Sequence, residues 1–162
     1  MFINEQDYTV ALSPASEGDR EFLIRVYADG RRDELARAMW TDEQTRMFVE
    51  HQLDAQTRHY HTVYPNSTHE IIRWNDEPAG RLFLDRGLNE IAILDITVLS
   101  DYRCRGIASR LVEELQKEAS AHAKPVRIYV ESFNPCAAFF IKRGFQVTEQ
   151  DGVNVKYVWM PT

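Results

Sequence analysis

Apolar residues recur every three to four positions in the first third of the chain and then switch to strand-like runs, separating predicted helices from predicted strands. Tyr8-Thr9-Val10-Ala11-Leu12 reads as a short opening strand, stopped at Ser13-Pro14. Phe22, Leu23, Val26 and Tyr27 keep helical spacing behind Asp19, the predicted N-cap. Leu35 to Trp40 continues helically. A further helix is predicted from Thr41 or Asp42, with Met47, Phe48, His51 and Ala55 on one side, ending before the turn cluster Tyr64-Pro65-Asn66-Ser67. Glu70 to Trp74 and Ala79 to Asp85 read as a hairpin around Asn75-Asp76-Glu77-Pro78. After the turn Arg86 to Asn89, the stretch Glu90 to Leu99 is apolar on both parities, as expected of a central strand covered on both faces.

A long helix is predicted from Gly106 to Ala123, its stripe Ile107, Leu111, Leu115 and Ala119 widened by Ala108 and Val112, with Pro125 as its stop. Val126 to Glu131 alternates as a strand. Asn134-Pro135 has the form of N-cap plus first helical residue, opening a short helix that ends at Gly144, a natural left-handed residue. Phe145 to Gln150, the turn Asp151-Gly152, and Val153 to Met160 form a terminal hairpin. The expected order is β-α-α-β-β-β-α-β-α-β-β. It describes a mixed α/β (α+β) sheet, neither a doubly wound dinucleotide fold nor a barrel.

Composition narrows the function class. The 162 residues are enough for one domain with its own core, and 44% hydrophobic with 27% charged residues is ordinary globular usage. A net charge of −6 disfavours nucleic acid and anionic membrane as general partners, since both require a basic face. Met1 to Asp7 shows no basic stretch followed by an apolar one, and no apolar run is long enough to span a bilayer, so a cytoplasmic protein is expected. Cys104 and Cys136 form no C-x-x-C pair, and no disulfide scaffold is expected. His51, His59, His61 and His69 fall close together without an acidic or cysteine ligand at a recognisable spacing, so no metal is expected.

The chemistry concentrates where the central strand enters the long helix, at Val98-Leu99-Ser100-Asp101-Tyr102-Arg103-Cys104-Arg105-Gly106-Ile107-Ala108. Such a junction aims backbone N–H groups and the positive end of a helix dipole at one spot. Gly106 and Ala108 keep side chains clear, and Arg103, Arg105 and Arg110 add positive charge with no acid between Tyr102 and Val112. A phosphate-bearing ligand is the expected occupant. The chain lacks the G-x-x-x-x-G-K-[S/T] of a P-loop and a G-x-G-x-x-G near its first strand.

Two segments carry a family resemblance. Arg103-x-x-Gly106-x-Ala108 resembles the [Q/R]-x-x-G-x-[G/A] signature of the GNAT superfamily of acetyl-CoA-dependent N-acyltransferases. Asn134-Pro135 followed by Ala137-Ala138-Phe139-Phe140-Ile141-Lys142-Arg143-Gly144-Phe145 is similar to that family's N-x-x-A-x-x-[F/Y]-[Y/F]-x-x-x-G-F segment. Both occur in the right order and context, covering about a third of the chain. The resemblance implies a single GNAT-like acetyltransferase domain over 1–162, with a mostly antiparallel sheet flanked by helices. It implies acetyl-CoA as donor substrate, a primary amine on a small molecule or peptide as acceptor, and direct transfer in a ternary complex. Homodimers are common in the family, though no residue here establishes one.

The resemblance also implies site residues. Arg103, Cys104, Arg105, Gly106, Ile107, Ala108 and Ser109 would form the CoA pyrophosphate cradle. Ile96, Thr97 and Val98 would offer main-chain groups to the pantetheine arm. Asn134 would touch the arm from the other side, Phe139 or Phe140 would pack on it, and Lys142 would approach the phosphorylated ribose. Attack on a thioester needs a neutral amine, and a lysine-like amine at pKa ~10.4 is only roughly 0.04% neutral at pH 7. The candidate bases are Asp95 and Glu90, of opposite parity on the central strand, with Glu131 third. Phe140 stands where many family members carry a tyrosine that protonates the leaving thiolate; Tyr129 and Tyr157 are candidate substitutes. Two rival readings follow: a CoA-binding module with little or no transferase activity, and an interaction subunit that uses the fold without cofactor.

Overall fold

The structure, a computed structural model, describes residues 9–162. The expectations for Met1 to Asp7 and for Tyr8 lie outside the described residues. Seven strands form one mixed sheet in the order β1-β2-β3-β4-β5-β7-β6. They are β1 (Val10–Pro14), β2 (Thr68–Trp74), β3 (Glu77–Arg86), β4 (Ile91–Val98), β5 (Val126–Glu131), β6 (Gln146–Gln150) and β7 (Asn154–Trp159). The helices are α1 (Arg20–Gly30), α2 (Arg32–Arg37), α3 (Asp42–Val63), α4 (Ile107–Ala121) and α5 (Ala137–Lys142), with 3-10 turns at Glu17–Asp19 and Ser100–Tyr102. β4 is central, as its apolar run on both parities predicts, and it pairs parallel with β5 over Ile91–Ile93.

Cα packing divides the chain into two compact units. One runs to Phe83 and includes Ile96–Ile107; the other holds Leu84–Asp95 and Ala108–Thr162. In the first, Leu23 and Ile24 of α1 meet Val49 and Leu53 of α3 and Ile71 of β2, with Phe22, Tyr27 and Phe48 packed around them. The expected stripe on α3 is corrected here: Val49 and Leu53 turn inward, while Met47 and His51 are exposed. Thr41 caps α3 by accepting from the Gln44 N–H, and the Gln44 side chain accepts from the Thr41 N–H in return.

Other boundaries move for local reasons. β1 extends through Ser13 and Pro14, since a proline is tolerated on an edge strand. Asp19 occupies the N-cap position of α1, but its carboxylate accepts from the Ser16 N–H instead of capping the helix. The helical stretch before α3 breaks into α1 and α2 at Gly30 and Arg31, and Met39 closes it in the left-handed region at φ 55°. Asn75 and Asp76 alone make the β2–β3 turn, both at positive φ as a two-residue hairpin requires, so Glu77 and Pro78 belong to β3.

In the second unit, the predicted stripe of α4 is buried at Ile107 (the last residue of the first unit), Leu111, Val112, Leu115 and Ala119. β5 departs from simple alternation because Arg127 is also buried, held by Glu90 at 2.7 Å. α5 starts at Ala137 rather than at Pro135: the Asn134 N–H is taken by the Glu131 carbonyl, and the first carbonyl to accept helically is that of Cys136. Its end follows the predicted device. Gly144 sits at φ 87°, its N–H bonds to Ile141 O, and the Phe145 N–H bonds to Phe140 O. The Phe140 and Phe145 rings close that cap edge to face at 5.3 Å. In the terminal hairpin β7, not β6, pairs with β5, leaving β6 exposed along its length.

Candidate active site

The loop between β4 and α4 is shaped by its own residues. Leu99 leaves the strand with its N–H on Ala79 O, and the 3-10 turn Ser100–Tyr102 follows. Cys104 then takes φ 63° and Gly106 φ 77°. Two left-handed residues within three positions turn consecutive N–H groups outward, an arrangement that makes an anion-binding concavity. Among the described residues no carbonyl takes the N–H of Cys104, Arg105, Gly106 or Ile107. Residues 103–106 are exposed, and a Cβ built on Gly106 meets nothing within 4 Å. The loop opens into α4, fifteen residues long, whose dipole adds to the pull on an anion.

The arginines do not point the way the sequence suggests. Arg103 folds back, donating from Nε to Val98 O at 3.1 Å and reaching Asp29 at 3.3 Å. Arg105 donates to Asp101 O at 3.2 Å and lies over the rings of Trp74 and Tyr102. Beside it is an open cleft of about 360 Å³, lined by Arg25, Trp74, Asn75, Glu77, Asp101, Tyr102 and Arg105. Within it Arg25 pairs with Asp101 at 3.4 Å, and the Tyr102 hydroxyl donates to Glu77 at 2.7 Å. That bond to Glu77 raises the Tyr102 phenol above its ordinary range.

Ile96, Thr97 and Val98 occupy the half-buried end of β4, where Arg103 already holds the Val98 carbonyl. In the second unit Asn134 and Lys142 are exposed. Phe139 is half-buried beneath the Arg143 guanidinium, 3.8 Å from its ring centre. Phe140 is 3% exposed among Phe139, Phe145 and Tyr157. Ser109, in the first turn of α4, takes a hydrogen bond from Arg143, which also donates to Phe139 O at 2.9 Å. Cys104 is an exposed free thiol; Cys136 is half-buried, and burial pushes its thiol up.

The sequence of the chain matches the family model described as the acetyltransferase (GNAT) domain over residues 23–161. The chain belongs to the GNAT acetyltransferase family. This family's activity is acyl transfer from an acyl-CoA. The fold agrees with solved GNAT structures. The PaiA N-acetyltransferase of Thermoplasma acidophilum, in complex with coenzyme A, is 17% identical, with TM-score 0.69 over 94% of this chain and 99% of that one. An acetyltransferase from Thermus thermophilus is 22% identical, with TM-score 0.69 over 94% and 97%. A GNAT family acetyltransferase from Elizabethkingia anophelis with acetyl-CoA bound is 13% identical, with TM-score 0.59 over 93% and 97%. No curated protein sequence gives a significant match.

Against this GNAT frame the acid–base candidates separate. Glu90 lies one residue before β4 and is committed to Arg127. Asp95 is half-buried within β4, and Glu131 ends β5. Tyr157 is buried, its ring 5.5 Å from Phe140, and Tyr129 is half exposed between Arg127 and Lys156. Elsewhere, His61 and His69 lie against Phe83 at 5.2 and 4.5 Å, and Trp40 packs on Phe48 at 4.8 Å. Among the described residues no group of three or more His, Cys, Asp or Glu converges as metal ligands do, and no helix is long and apolar enough to cross a membrane.

Three residues around these sites escape sequence reading. Asp29, Arg81 and Arg143 are each engaged by partners distant in sequence: Ser100, Gln56 and Ser109 respectively. Only Asp29 leaves a local trace, an acid in the last turn of a helix, where the dipole disfavours it.

Proposed function

We propose that the chain is an N-acetyltransferase that uses acetyl-CoA as donor and transfers the acetyl group directly, in a ternary complex, to a primary amine on a small molecule or peptide, in a cytoplasmic setting. The observation that carries this reading is the loop 103–107, with left-handed Cys104 and Gly106 and outward N–H groups at the head of α4. In this reading the amides of Cys104 to Ala108 receive the pyrophosphate, with Ser109 beside them, while the Arg103 N–H is held by the Ser100 carbonyl at 3.3 Å. Ile96, Thr97 and Val98 serve the pantetheine arm from β4; Asn134, Phe139 and Lys142 serve the donor from the β5–α5 segment. Phe140 contributes packing, as its burial supports. Asp95, half-buried within β4, is taken as the base, with Glu90, held by Arg127, as the alternative. Tyr157, the phenol in contact with Phe140, is the favoured proton donor to the thiolate, whose pKa of ~8.5 already makes it a fair leaving group.

Acetyl-CoA is expected to raise the melting temperature of the protein, and Gly106→Trp to remove that shift. The new Cβ meets nothing within 4 Å, so the indole occupies solvent that the ligand would need, and a side chain at φ 77° also strains the loop out of its left-handed turn. An unaltered shift in a folded Gly106→Trp protein would sink the loop assignment. Free-thiol release with polyamines, aminoglycosides, amino acids and peptides then seeks the acceptor. The buried Phe140, which carries no hydroxyl, gives the rival module reading its basis: tight acetyl-CoA binding with no thiol release from any amine would favour it.

A further inference from the structure

We propose that Asp29 is a positioning residue that sets the conformation of the donor loop from the far end of α1. The inference rests on the reading of loop 103–107 as the pyrophosphate cradle. The Asp29 carboxylate accepts from the Ser100 N–H at 3.0 Å, the Ser100 hydroxyl at 2.9 Å, Arg32, and Arg103 at 3.3 Å. Its side chain is 9% exposed. Arg32 also donates to the Ser100 hydroxyl at 2.9 Å, so that hydroxyl is fixed from two sides.

The placement of these partners gives the carboxylate its role. The Ser100 N–H opens the 3-10 turn, and Arg103 caps that turn's other end. One acid therefore grips both ends of the segment that delivers Cys104 and Gly106 into their left-handed conformations. One helical turn earlier on the same face of α1, Arg25 reaches Asp101 inside the turn at 3.4 Å. An acid in the last turn of α1 works against the helix dipole, and α1 carries no basic residue there to offset it. A residue placed against its helix's own preference has its compensation elsewhere, here in the loop.

Electrostatics and positioning predict opposite signs. Asp29 is a negative charge beside an anion site and is paired to one of its arginines. If only charge mattered, Asp29→Asn would free Arg103 and tighten acetyl-CoA binding. If Asp29 holds the loop in shape, the same change weakens binding, because the amides are no longer pre-arranged.

The test is the Kd for acetyl-CoA of wild type, Asp29→Asn, Ser100→Ala and Gly106→Trp, measured well below every melting temperature. Amide hydrogen exchange over residues 100–106 is followed in parallel. We expect about tenfold weaker binding for Asp29→Asn and a smaller loss for Ser100→Ala, each with faster exchange in the loop. Ser100→Ala keeps the test open should Asp29→Asn fold poorly. Tighter binding, unchanged binding, or weaker binding without faster loop exchange would each overturn the inference while leaving the cradle reading intact. Full binding by folded Gly106→Trp would remove the cradle reading and the inference with it.

Discussion

Two carboxylates, Glu90 just before β4 and Asp95 within it, are the base candidates to be told apart. Glu90 and Asp95 are equivalent in sequence: both acids belong to the segment leading into the loop. Glu90 is bonded to an arginine that is itself buried, so Glu90→Gln removes the carboxylate that pairs with this cation. Because Glu90 is 37% exposed, the loss is discounted to about 1–2 kcal/mol of stability. Asp95→Asn is expected to lower kcat by about 10²–10⁴, the effect of a lost base. Urea unfolding and steady-state kinetics of the two variants separate the roles. A kcat collapse in Glu90→Gln with stability preserved would exchange them. The ion pair was illegible beforehand because Arg127 sits at a strand position whose alternation places it outward or inward only once β5 has found β4.

At the scale of elements, periodic segments were legible and junctions were not. α4 follows its predicted stripe closely, since five apolar positions on one helix face leave a single way to bury it. The start of α5 slips from Pro135 to Ala137 because a turn closed by the Glu131 carbonyl on the Asn134 N–H competes with the predicted cap. The tie between α1 and the loop is invisible for a different reason, since it joins residues 71 positions apart. It also has a pH signature. Burial alone would push the Asp29 carboxyl up, but the Ser100 N–H and hydroxyl, Arg32 and the Arg103 charge outweigh it and hold it below the usual range. A carboxyl depressed in the folded state stabilises above its unfolded pKa of ~3.9, and that contribution is lost as pH falls through the lower folded value. The stability gap between wild type and Asp29→Asn should therefore be full near pH 7 and shrink below about pH 4. A gap that persists at pH 2, by denaturant unfolding, would mean the charge on Asp29 contributes nothing.

At the scale of the whole molecule, charge invites a different error. The chain carries −6, and the loop's three arginines look like a basic island made for a polyanion. Arg103 is held by Asp29 and the Val98 carbonyl, and Arg105 by the Asp101 carbonyl and two aromatic rings. On the proposed reading, recognition of phosphate would fall on backbone N–H groups and the α4 dipole, which act at contact range. The family was legible from spacing because Gly106 and Ala108 serve the backbone, and backbone geometry leaves a pattern in sequence. The fate of an arginine side chain leaves none. Binding through amides depends weakly on salt, whereas freed arginines would release counterions and show a steep dependence. We expect the Kd for acetyl-CoA to change by less than about threefold between roughly 50 and 500 mM NaCl, and Arg105→Ala to cost less than Gly106→Trp. Isothermal titration across that range decides between the two. A loss of about tenfold or more would mean that Arg103 and Arg105 release their present partners to meet the ligand, and that the loop seen here is its resting form.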